Sequence, residues 1–126
     1  MILIFGGVYQ GKLAYALERF NLTEGYVYRC DNDDAVMPKD KKIIYEIDKW
    51  ILALLKNDMD IESAIKQFIS CNKDVIIICN DISCGVVPVD ILLRKWREAT
   101  GRILAMLSQE SEEVVRLFCG IPTRIK

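Results

Sequence analysis

Histidine is absent from all 126 residues. That removes a histidine general base, a Ser-His-Asp triad and any phosphohistidine or histidine–nucleotide intermediate from the chemistry open to this chain. Paired cysteines are missing as well. Cys30, Cys71, Cys79, Cys84 and Cys119 make an odd count of five, and no two form a Cys-x-x-Cys. This argues against both a zinc site and a disulfide framework. The thiols read as buried or half-buried in a reducing cytoplasm, with Cys84 the most reactive because it falls in an expected loop. Charge of one sign is lacking too: 17 basic residues face 18 acidic ones, for a net of −1. No long-range field draws such a chain to nucleic acid or an anionic membrane, so an anion must be held by a local site. Long apolar runs are missing. Residues 1–5 are too few and lack the basic start of a signal peptide, and 50–55 is too short to cross a bilayer. The expectation is a cytoplasmic protein with neither nucleic acid nor membrane as partner.

What remains is apolar, 52% hydrophobic against 28% charged. That suits one globular domain over 1–126, burying roughly two thirds of its unfolded surface. Residues 2–5 form a continuous apolar run stopped at once by two glycines, the mark of a buried parallel strand. Residues 12–20 read as a helix with Leu13, Leu17 and Phe20 as its stripe. Residues 26–28 and 43–45 read as short strands, separated by a polar loop over 31–42 in which Asp31, Asp33 and Asp34 are solvated. Asp48 is placed to cap a helix through Leu55, and Asp60 to cap another. Residues 75–79 are the clearest strand, followed by a loop over 80–88. Asp90 caps the longest helix, to about Gln109, with Ile91, Leu92, Trp96, Ile103 and Leu107 as its stripe. Residues 114–118 close the set as a strand, and 120–122 turn into a short tail. Strands alternating with helices predict an α/β domain: a mostly parallel central sheet with helices on both faces.

The chemistry concentrates at Gly6-Gly7-Val8-Tyr9-Gln10-Gly11-Lys12, which fits the G-x-x-x-x-G-K core of a P-loop. Glycines let backbone N–H groups turn toward a phosphate. The following helix offers its free N–H groups and the positive end of its dipole, and Lys12 supplies a point charge. Leu13 stands where the motif carries the Ser or Thr that ligates Mg²⁺. The alternative is an ordinary glycine-rich turn with a solvated lysine. Mg²⁺ in such a site is also held by a carboxylate at a neighbouring strand end. Glu46 and Asp81 are the candidates, with Asp48 and Asn80 close by. Each also reads as a cap or a loop residue.

The later sequence carries a resemblance. Ile77-Ile78-Cys79-Asn80-Asp81-Ile82-Ser83-Cys84-Gly85-Val86-Val87-Pro88 is similar to the V-S-N-E-V-G-x-G-I-V-P run of the adenosylcobinamide kinase/adenosylcobinamide-phosphate guanylyltransferase family. Arg94-Lys95-Trp96-Arg97-Glu98-Ala99-Thr100-Gly101-Arg102 resembles that family's R-x-F-R-D-x-x-G-R helix. Gly120-Ile121-Pro122-Thr123-Arg124-Ile125-Lys126 resembles its G-x-P-x-x-x-K tail. Gly6 to Lys12 resembles its G-G-A-R-S-G-K-S loop, with Leu13 against the serine. The 50–55 segment is similar to its tryptophan–leucine helix. The resemblance spans the opening loop and everything from about Ile43 onward.

The resemblance implies a P-loop domain that binds ATP or GTP through Gly6, Gly7, Val8, Tyr9, Gln10, Gly11, Lys12 and Leu13. It implies Lys12 as the catalytic cation, Mg²⁺ held by Glu46 or Asp81, and a cobinamide-type corrinoid as second substrate. It also implies a homo-oligomer, trimeric in the family. Two departures limit what carries over. The family's longer insert before its acidic strand holds a guanylylated histidine, and a short polar loop over 30–42 replaces it here. Leu13 removes a metal ligand. The expectation is nucleotide binding with histidine-dependent guanylyl transfer lost. The alternative is a non-catalytic binding or regulatory domain that keeps only the fold.

Overall fold

The computed structural model describes residues 1–36, 40–82 and 89–126. Cys84 and most of the 80–88 loop, including much of the V-S-N-E-like run, lie outside the described residues. Six strands make one sheet in the order β2-β3-β4-β1-β5-β6. Strand β1 (Ile2–Gly6) lies between β4 (Ile76–Asn80) and β5 (Glu113–Phe118), parallel to both. Strands β2 (Val27–Arg29) and β3 (Ile43–Tyr45) extend the parallel array. Strand β6 (Ile121–Arg124) runs antiparallel to β5.

Alternate side chains of each strand feed two cores, as the two-residue period of a strand requires. On one face Leu3, Ile44, Ile77 and Val114 meet α2 (Ile47–Lys56), α3 (Ile61–Cys71) and α4 (Ile91–Glu110). Trp50 and Phe68 pack edge to face there, with ring centroids 5.7 Å apart. On the other face Ile4, Ile43, Ile78 and Val115 meet α1 (Lys12–Arg19), through Leu13, Ala16 and Leu17. Helices therefore cover both faces of a mainly parallel sheet, the α/β class expected from the sequence.

Four local expectations change. Tyr26 belongs to a short 3₁₀ turn rather than to β2. The tail is a strand: Cys119 (φ 52°) and Gly120 (φ 74°) form a two-residue turn with both central residues left-handed, the geometry that lets a hairpin follow the twist of its strands. Ile91 and Leu92 are exposed, not part of a buried stripe. Helix α4 has 20 residues, about 30 Å of rise, against strands of at most six residues, about 20 Å, so its first turns overrun the sheet. The thiols also divide: Cys30 and Cys79 are buried, whereas Cys71 and Cys119 are exposed. Asp60 and Asp90 do cap α3 and α4, accepting from the backbone N–H of Ser63 and Leu93. Among the described residues no helix is long and apolar enough to cross a membrane.

Candidate functional site

The segment between β1 and α1 sits at the carboxyl edge of the sheet. There the chain leaves the central strand β1 for the distant β2, and later returns to flank β1 with β4 and β5. Open α/β sheets hold ligands at such a point. Gly6 is required by its neighbour: a Cβ on it would collide with the carbonyl oxygen of Leu117 in β5. Gly11 (φ 83°) is the N-cap of α1 and brings no side chain to cap it. The first-turn N–H groups of Lys12, Leu13 and Ala14 therefore face the loop without a side-chain acceptor.

Lys12 is 4% exposed. Its ammonium donates to the carbonyl oxygen of Gly7 at 2.6 Å, bridging the loop from inside. Burial pushes its pKa down, opposed chiefly by the charge of Asp48 and less by Cys79 and Glu46. A cavity of about 470 Å³ opens beside it, walled by residues 8–14 on one side and by Tyr45, Glu46, Lys49 and Asn80 on the other. Val8 and Tyr9 lie on the exposed rim, Tyr9 at φ 61° and almost wholly exposed. Gln10 lines the cavity and also ties the loop to the β5–β6 turn. Its side-chain oxygen accepts from the N–H of Cys119, and its carbonyl accepts from Gly120 N–H at 3.1 Å. Leu13 also lines the cavity, yet it packs with the core under α1.

The opposite wall is built around Asn80, at the end of β4. Its N–H and side-chain amide donate to the two carboxylate oxygens of Asp48, at 3.1 and 3.2 Å. The same amide reaches Glu46 at 3.3 Å. Asp48 is 2% exposed; burial raises its pKa, with the Asn80 hydrogen bonds pulling it back. It is not the helix cap expected from its spacing. Glu46 occupies the N-cap of α2 in a left-handed conformation (φ 61°) without a side-chain cap bond, and Asp48 is the second helical residue, bonded to Asn80 of the sheet. Trp96 of α4 donates to the carbonyl of Asp48 at 2.7 Å, fixing the helix there. Lys49 pairs with Glu46 at 3.0 Å, which raises the lysine's pKa.

Glu46 is thus brought to the Lys12 cavity. Asp81 is not: it lines a smaller cavity of about 170 Å³ on the other side of the loop, with Gly7, Gln10 and Arg116. Asp31, Asp33 and Asp34 are exposed, and Asp33 pairs with Lys56. Lys49 was missed in the sequence, although its position three residues after Glu46 across the first turn of α2 signals the pair. A second cavity, about 440 Å³, lies at the amino-terminal edge of the sheet beside Met1, Lys66 and Lys73. The carboxyl edge holds the loop and the strand-end carboxylates, so the loop cavity is the candidate site.

The donor set does not suit Mg²⁺. Both oxygens of Asp48 are taken by Asn80. Glu46 is shared between Asn80 and Lys49, and Leu13 offers no hydroxyl. Among the described residues no three cysteine or acidic side chains gather as a metal site. Mg²⁺ loses its water reluctantly and needs near-octahedral oxygen ligation.

A buried strand, a glycine loop and a helix that carries an inward lysine define a P-loop-like α/β domain. The chain belongs to the cobinamide kinase/cobinamide phosphate guanyltransferase family, whose family model matches residues 37–125. That match begins after the loop from Gly6 to Lys12. The chain is similar to the bifunctional adenosylcobalamin biosynthesis protein CobU of Escherichia coli (strain K12) and to its namesake in Salmonella typhimurium (strain LT2). It is 28% identical to each over 81 residues, which cover 63% of this chain and 45% of the relative. The aligned part is less than half the length of these relatives.

Proposed function

We propose that this chain binds the phosphates of ATP or GTP in the cavity beside Gly6, Gly7 and Gly11, as a divergent branch of its family. The observation that carries the reading is Lys12. A lysine left in solvent would mark an ordinary turn, but this one is buried and bonded across the loop, with a cavity beside it. An entering phosphate draws that ammonium off the Gly7 carbonyl, and the N–H groups at the start of α1 donate to the adjoining oxygens. In phosphoryl transfer Lys12 would stabilise charge on the moving group. The names of the relatives, and the second half of the family's description, support a cobinamide-type corrinoid as the second ligand. Guanylyl transfer through histidine is closed to this chain, which has none. Leu13, packed into the core where a hydroxyl would hold a metal, favours binding over turnover. A cytoplasmic homo-oligomer, trimeric by family likeness, completes the reading.

The test is a thermal scan with ATP and with GTP. Nucleotide at about 100 times its Kd stabilises a folded protein by roughly 2.7 kcal/mol. Lys12→Ala is expected to abolish the shift while the fold remains. If neither nucleotide at millimolar concentration moves the wild-type transition, the reading is wrong.

A further inference from the structure

We propose that the Lys49 ammonium takes the place of a metal ion at this site, so that the cavity binds a nucleoside di- or triphosphate free of Mg²⁺. The inference rests on the nucleotide-binding reading and names the form of the ligand. Glu46 is the carboxylate that faces the phosphate loop across the cavity. Its Oε2, the oxygen that also accepts from the Asn80 amide, already holds a cation, the Lys49 ammonium at 3.0 Å. A divalent ion would sit against that ammonium, shed water, and do without the hydroxyl that Leu13 replaces.

The other carboxylates offer no second foothold. Asp48 is sealed under Asn80 with both oxygens bonded, and Asp81 faces the cavity on the far side of the loop. Two lysines therefore line the site from opposite walls, Lys12 from α1 and Lys49 from α2. Lys12 is fixed by burial, whereas the Lys49 side chain keeps 39% of its exposure. Its four-carbon stem has room to swing its ammonium from Glu46 onto a terminal phosphate while staying beside the carboxylate. The contact is that of a metal bridging carboxylate and phosphate, made by an ammonium with three donors.

Calorimetric titration of ATP, ADP and GTP into the full chain tests this, once in MgCl₂ and once in EDTA. Wild-type affinity is expected to be at least as high in EDTA as in MgCl₂, where Mg²⁺ ties up most of the free nucleotide. Lys49→Gln is expected to weaken binding in EDTA by about ten-fold or more, the value of one charge-assisted hydrogen bond. Lys49→Arg should retain metal-free binding. An unchanged unfolding midpoint for these exposed-site variants separates a binding loss from misfolding. Wild-type binding that needs Mg²⁺ overturns the Lys49 role and leaves the nucleotide reading standing. Unaltered metal-free binding by Lys49→Gln also overturns it. Absence of binding in both buffers overturns both proposals together.

Discussion

Replacing Asp48 by alanine tests the wall opposite the loop from Gly6 to Lys12. Two donors of Asn80 lose their acceptor, at 3.1 and 3.2 Å, in a place that water does not reach. Leaving a buried donor unpaired costs about 1–3 kcal/mol. Lys12 also loses the leading charge that offsets its burial, which adds to the loss. Against this, the variant is relieved of burying a carboxylate, the dominant influence on Asp48 itself. The balance is a loss of about 3 kcal/mol, a fall of roughly 10 °C in Tm for a domain of this size. Urea unfolding at neutral pH, read by far-UV dichroism and tryptophan fluorescence, measures it.

The pH dependence gives a second handle on the same residue. Burial raises the folded carboxyl above its ordinary value of 3.8, so between the two values the folded state holds more protons than the unfolded chain. The contribution of Asp48 to stability therefore grows as pH falls through that window, and is least above it. Wild type should gain on Asp48→Ala as the solution is acidified from neutrality. A loss under about 1 kcal/mol, the worth of one ordinary hydrogen bond, or a gap that narrows on acidification, would refute the buried-wall account.

Three further outcomes follow from the same geometry. Gly6→Ala should prevent proper closure of β1 on β5, because the new methyl meets the Leu117 carbonyl oxygen; soluble yield and midpoint should both fall, by more than the ~1–3 kcal/mol of ordinary overpacking. Glu113 carries a bidentate pair with Arg19 that holds its carboxyl below the usual 4.5. The advantage of wild type over Glu113→Gln should be full above that value and disappear as pH falls through the depressed one, in urea titrations at stepped pH. Cys30 is buried, which pushes its thiol up to about 12, with the charge of Asp48 adding to the effect. Alkylation followed by mass spectrometry should mark Cys71 and Cys119 quickly in the folded protein, and Cys30 and Cys79 only after unfolding.

The sheet was legible because burial on both faces leaves unbroken apolar runs, as in β1 and β4, and because Asp60 and Asp90 precede their helices as caps do. Strand β6 was not. Its residues are all exposed and carry no alternation, and its turn signal, Cys119-Gly120, lacks the asparagine or aspartate that usually marks such a turn. At the site, the strand–loop–helix around Gly6 to Lys12 was legible because the glycines fall between an apolar run and a helical stripe. The wall was only half so. Asp48 is near the start of a helix, and sequence position favours a cap. Its inward turn depends on Glu46 adopting a left-handed backbone and on Asn80 waiting 32 residues later. Neither condition leaves a mark in the local sequence. Glu46 and Asp81 both read as strand-end carboxylates, with Glu46 the leading candidate; they follow different strands and line different cavities.

The bonds from Gln10 to the β5–β6 turn have a consequence for the order in which the site forms. The loop joins segments close in sequence, yet it is held by partners 109 residues away. Closing so long a connection carries an entropic cost that local contacts do not repay early in folding. The phosphate loop should therefore stay pliable until the final hairpin docks, and an alteration of Gly120 should be felt first as poor nucleotide affinity in a protein that still melts cooperatively.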